Sequence, residues 1–200
     1  MGQSATRLFG TRERTRLTMV GPGYQKTHNA DILHTLALGE IVTSEVTIGL
    51  KITEVEGRDV ALMSWGLGGS DAMMHHRNGL FAHLYAGTRG LIFVLDCQTA
   101  AEFRRQHGAA SSVDFGYLLT NVLNKYDEEL RYVPLLVYAD GCGQPGAGDA
   151  WSSDQIADEL RLSERHSSAP WRVQSVCSSS GTGVKEGFEW LMATIHERGN

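Results

Sequence analysis

The sequence predicts an α/β domain: a six-stranded, mostly parallel sheet with helices on both faces. Three observations predict it. Strand-like and helix-like stretches alternate along the chain, as in layered α/β folds. Two apolar runs, Gly90–Asp96 and Val133–Ala139, are continuous rather than alternating, as expected for central strands covered on both sides. One stretch, Leu50–Trp65, alternates in polarity about a turn at Glu56-Gly57-Arg58-Asp59, which reads as an antiparallel hairpin.

The 200 residues suffice for one such domain with its own core, and 42% hydrophobic and 20% charged residues are globular values. A net charge of −5 offers no basic footprint for nucleic acid. Three widely spaced cysteines, Cys97, Cys142 and Cys177, read as reduced thiols of a cytoplasmic protein. No apolar run reaches the length of a membrane span.

Residues 1–15 form a separate segment, and 16–200 the domain. Met1-Gly2-Gln3-Ser4-Ala5-Thr6 fits an N-myristoylation pattern with Gly2 as the acylated residue. Leu8-Phe9 and the arginines around them would supply the second membrane signal that one acyl chain needs. Arg16–Val20 is the first strand. It runs into Gly21-Pro22-Gly23-Tyr24-Gln25-Lys26-Thr27 and then a helix over about 28–38, the layout of a phosphate-binding loop. The loop departs from G-x-x-x-x-G-K-[ST]: Lys26 comes one residue early, Gln25 replaces the second glycine, and Pro22 lacks a donor. The hairpin returns Gly66–Gly69 to Thr47-Ile48-Gly49, where a hydroxyl opposite bare glycine amides could meet a phosphate and magnesium.

His75, His76 and His83 lack a carboxylate or thiol at ligand spacing, so no metal site is expected there. From Thr99 to Leu130 the pattern is helical. It breaks at Gly108–Ser112, within an inserted loop near 104–115. Trp151-Ser152-Ser153-Asp154-Gln155-Ile156 carries a capping box and a staple. Trp171–Val176 is the last strand. Val184, Phe188, Leu191, Met192 and Ile195 make the core stripe of a final helix.

GEIVTSEVTIG, TIGLKITEVEGRDVALMSWGLGGSD, HLYAGTRGLIFVLD and GFEWL, in that order, resemble the Arf and Arf-like branch of small GTPases. The resemblance implies the P-loop small-GTPase fold, with the hairpin beside the Leu17–Val20 and Gly90–Leu95 strands and Thr47 and Gly69 at one end of the sheet. It implies GTP or GDP with Mg2+ as cofactors. It implies nucleotide contacts at Gly21, Gly23, Lys26, Thr27, Thr47 and Gly69, with Thr27 and Thr47 on the metal. The family's magnesium-holding carboxylate is Gly66 here, its catalytic glutamine is Ser70, and its guanine-reading Asn-Lys-x-Asp is Asp140-Gly141-Cys142-Gly143. The corner that touches the base in relatives, Cys-Ala-Thr, is Cys177-Ser178-Ser179. These replacements point to a pseudo-GTPase binding module with weak or absent hydrolysis, peripheral on endomembranes, acting in vesicle or protein trafficking. Its partners would be effector or coat-type proteins on the switch and interswitch surface. The alternative is a GTP-binding switch with an atypical but working site.

Overall fold

The computed structural model describes residues 14–22, 29–47, 50–57, 59–67, 85–107, 119, 128–141 and 151–199. The elements are β1 (Thr15–Pro22), α1 (Asn29–Leu36), β2 (Gly39–Thr47), β3 (Leu50–Gly57), β4 (Val60–Leu67), β5 (Gly90–Asp96) and α2 (Cys97–His107). After a 3-10 turn at Glu128–Tyr132 come β6 (Leu135–Asp140), α3 (Ser153–Glu159), α4 (Leu162–Arg165), β7 (Trp171–Val176) and α5 (Val184–Gly199). The strands form one sheet in the order β2-β3-β4-β1-β5-β6-β7.

Strands β4, β1, β5, β6 and β7 are parallel neighbours, while β2, β3 and β4 are antiparallel. The small-GTPase layout therefore holds, with one strand more than the six expected. The addition is β2, which pairs with β3 from Gly39↔Gly57 to Thr47↔Leu50 across a register shift between Glu45 and Thr47. As expected, the hairpin lies beside β1, whose other neighbour is β5. Thr47 closes β2 at the end of the sheet where β1 and β4 finish; Gly69 lies outside the described residues.

The alternation of the hairpin decides which side is core. Val55, Val60, Leu62 and Ser64 are buried, whereas Glu54 and Glu56 are exposed. Strands β5 and β6 have no solvent face: Leu91 to Leu95 and Leu135 to Ala139 are almost wholly covered. On one side Val20, Phe93 and Val137 pack with Cys97 and Ala100 of α2 and Ile156 of α3. On the other, Leu17, Met19, Ile92 and Tyr138 pack with Ile32 and Leu33 of α1 and with Val184, Leu191 and Ile195 of α5. Burying each large side chain contributes about 1.5–3 kcal/mol. The α5 stripe is as expected, with Phe188 and Met192 at its half-buried margin.

Gly187 makes that second layer possible. A Cβ there would sit 2.7 Å from Cε1 of Tyr138. Its absence lets the Tyr138 hydroxyl donate to the Val184 carbonyl at 2.7 Å. Burial, helped by the Glu186 charge, pushes that phenol's pKa up, so it stays a donor. The capping box is complete: Ser152 N–H donates to Gln155 Oε1 at 2.8 Å and Gln155 N–H to Ser152 Oγ at 3.2 Å.

Three expectations are corrected. Residues 104–107, assigned to the inserted loop, are the last turn of α2. The helix after β1 has eight residues, Asn29–Leu36, and not the eleven of 28–38. Among the described residues Cys97 is disulfide-bonded and Cys177 is a free thiol, so the reading of three reduced thiols fails at Cys97. Spacing along the chain hides how the sheet gathers strand ends: Asp96, just before Cys97, is the register partner of Asp140.

Candidate nucleotide site

Ligands of open α/β sheets bind beyond the carboxyl ends of parallel strands. Here those ends are Gly21 on β1, Gly66 on β4, Asp96 on β5, Asp140 on β6 and Val176 on β7. Gly21 and Gly66 are register partners, as are Asp96 and Asp140, and Asp140 and Val176. Gly21 is buried, and a Cβ on it would meet the Val94 carbonyl oxygen at 2.8 Å. That close approach requires glycine whether or not a ligand binds.

Of the expected nucleotide and metal contacts, Gly21 and the backbone of Thr47 are described, both at this end of the sheet. Gly23, Lys26, Thr27, Gly69 and Ser70 lie outside the described residues, as do Gly2, His75, His76 and His83. Among the described residues no group of three or more His, Cys, Asp or Glu could hold a metal ion. Gly66, at the end of β4, supplies no carboxylate.

The residue that opens α1 is Asn29. In a phosphate loop a lysine and then a serine or threonine open the helix. Here Asn29 and Ala30 do so, and the sequence reading, drawn to Lys26-Thr27, passed over them. The signal was present: an asparagine just before the apolar positions Ile32, Leu33 and Leu36 is an ordinary helix-start mark.

Asn29 is 7% exposed, and its Nδ2 donates to Ser64 Oγ on β4 at 3.0 Å. Its Oδ1 is buried without a hydrogen-bond partner and lies 3.7 Å from where a Gly21 Cβ would be. A buried acceptor left unmet costs about 1–3 kcal/mol and calls for an explanation.

The base corner is built differently. Asp140 is 6% exposed, and its Oδ1 accepts from the Ser178 backbone N–H at 2.9 Å. The aspartate that stands in the guanine-reading element thus braces the corner after β7. Cys177 N–H donates to the Thr182 carbonyl at 3.0 Å, and the Ser180 and Thr182 hydroxyls lie 2.8 Å apart. Hydrogen bonds from Ser179 and Ser180 draw the Cys177 thiol below its usual pKa, since they favour the thiolate.

A magnesium-bound guanine nucleotide needs donors and a cation at the helix start and an acceptor pair at the base edge. Among the described residues Asn29 turns a bare acceptor inward, Gly66 brings no charge, and one oxygen of Asp140 is committed to Ser178. Comparison with protein families matches residues 1–195 to Arf, the ADP-ribosylation factor family.

Proposed function

The chain belongs to the ADP-ribosylation factor family, whose members are small GTPases that bind GTP or GDP with Mg2+ and work at membranes with effector proteins; on that premise we propose that it is a degenerate member, a membrane-attached binding module with weak or absent GTP hydrolysis. The observation that carries this reading is the buried, unpartnered Oδ1 of Asn29 at the start of α1. The family trait of a triphosphate held at that helix is the one the side chains there serve least.

The module would work through its hairpin. A cleft of about 180 Å³ is lined by Arg16 of β1, Glu54 and Glu56 of β3, and Ala61 and Met63 of β4. Mixed charge around a methionine suits an effector or coat-type protein. Acylation of Gly2 would bring that face to an endomembrane surface, in vesicle or protein trafficking. No described helix is long and apolar enough to cross a membrane, so lipid is the means of attachment in this reading. An ordinary switch with a rebuilt site is the rival: Thr47 still stands at the phosphate end of the sheet.

Calorimetric titration of the full chain with GTP and with ATP, in magnesium, separates the two. Weak binding without preference for guanine, and no hydrolysis above background, is expected. Tight guanine-selective binding would establish the switch. For the membrane half, the intact mass of protein from a eukaryotic host should show one acyl chain, absent from Gly2→Ala.

A further inference from the structure

We infer that Asn29 is a specificity-determining residue, whose fixed carboxamide turns the start of α1 from a place that receives phosphate into one that refuses it. The inference rests on the reading of a degenerate site and names the group responsible. By default a helix start attracts anions, because its first N–H groups are free and its dipole is positive there. For α1 to refuse a phosphate, something specific must oppose it there.

The opposition is geometric. Asn29 Nδ2 is spent on Ser64 Oγ at 3.0 Å, and Ser64 is itself 3% exposed. With Ser64 Oγ as the acceptor, the amide nitrogen points to β4 and the oxygen away from it. The oxygen is left facing the end of β1, unpartnered and out of reach of bulk water. A carboxamide oxygen and a phosphate oxygen are both acceptors, with no proton between them. Gly21 and Gly66, paired across β1 and β4, have no side chains with which to supply one. Asn29 Oδ1 calls for a donor, and a phosphate brings none.

The test titrates the full-length protein with inorganic tripolyphosphate and with Mg-GTP at one fixed ionic strength. The forms compared are wild type, Asn29→Ala, Asn29→Lys and Ser64→Ala, each first shown to be folded by circular dichroism and a cooperative melt. Asn29→Lys should bind both ligands about tenfold more tightly, by placing a charged donor where the acceptor was. Asn29→Ala should bind about threefold more tightly, from loss of the opposing oxygen alone. Ser64→Ala frees the amide to rotate its nitrogen inward and should also gain. Because Ser64 lies on strand β4 and not on helix α1, that gain would support the inference independently of any change at Asn29.

Two results overturn the inference. In one, Asn29→Ala binds more weakly than wild type, which would mean that the amide nitrogen faces the ligand. In the other, a folded Asn29→Lys shows unchanged affinity. The proposed function fails on a separate observation, tight guanine-selective binding by wild type, whereas the inference is decided by the ratios between variants.

Discussion

The two ends of the β1–β6 span treat buried polarity differently. Around β6, three polar side chains are answered: Asp140 by the Ser178 amide, Tyr138 by the Val184 carbonyl, and Ser175 by Ser153 at 2.7 Å. Where β1 meets α1, Asn29 has a partner for its nitrogen and none for its oxygen. Both regions lie on the same sheet and are similarly buried, so burial alone does not explain the contrast. The answered groups brace helix α5, the corner before it and the start of α3, which any copy of this fold needs. The unanswered one sits where only a ligand would have set the requirement.

The largest test of that contrast lies in the core. Phe93 is fully buried at the centre of β5, so Phe93→Ala should cost about 3–5 kcal/mol in chemical denaturation. A loss below about 1 kcal/mol would mean that the scaffold is held elsewhere. Next comes Asp140→Ala, which strips the Ser178 amide of its acceptor and should cost about 1–3 kcal/mol. Asp140→Asn keeps an acceptor oxygen and should cost less. Amide hydrogen exchange at Ser178 would report the same order.

A smaller effect follows from His166, which is 1% exposed. Its Nε2 donates to the Val133 carbonyl at 2.9 Å, and its Nδ1 has no partner. Burial, and to a lesser degree the Arg198 charge, lowers its pKa, against the opposing pull of the Val133 bond. The unfolded chain therefore takes up a proton near pH 6.5 while the folded one does not. The His166 contribution to stability is complete above that pH and is lost as pH falls below it, by at most about 1.4 kcal/mol per pH unit. Melts at pH 7.5 and 5.5 should show the fall in wild type and a shallower one in His166→Gln.

The smallest effect is the most pointed. Asn29→Ala loses one hydrogen bond but also removes an unmet acceptor, each worth about 1 kcal/mol. Its stability should stay within about 1 kcal/mol of wild type by urea denaturation. A cost above about 2 kcal/mol would make the amide a structural brace and erase the contrast.

Where a feature depends on neighbours along the chain, it was legible from sequence. The Ser152–Gln155 capping box, the α5 stripe and the covered strands β5 and β6 are local patterns, and the structure repeats them. What depended on distant strands was hidden. Strand β2 is an exception: it pairs with its chain neighbour β3, Thr47 opposite Leu50, and was still passed over. At the site, Lys26-Thr27 matched a motif strongly enough to obscure Asn29, the residue that opens the helix. The bracing role of Asp140 was also out of reach, because Ser178 is 38 residues away.

The ion pair near the beginning of β1 bears on posture. Arg14 Nη1 meets Glu56 Oε2 at 2.8 Å, with both side chains largely in solvent, so it adds little to stability. It does pin the chain's departure point to the turn side of the β3–β4 hairpin. Seven strand steps, about 23 Å, separate Thr15 from Pro22 at the other end of β1. Tethered through the residues ahead of Arg14, the domain would stand upright like a buoy on a short mooring. Its turn side would be near the bilayer, with the strand ends that carry Gly21 and Asp140 held at the far pole.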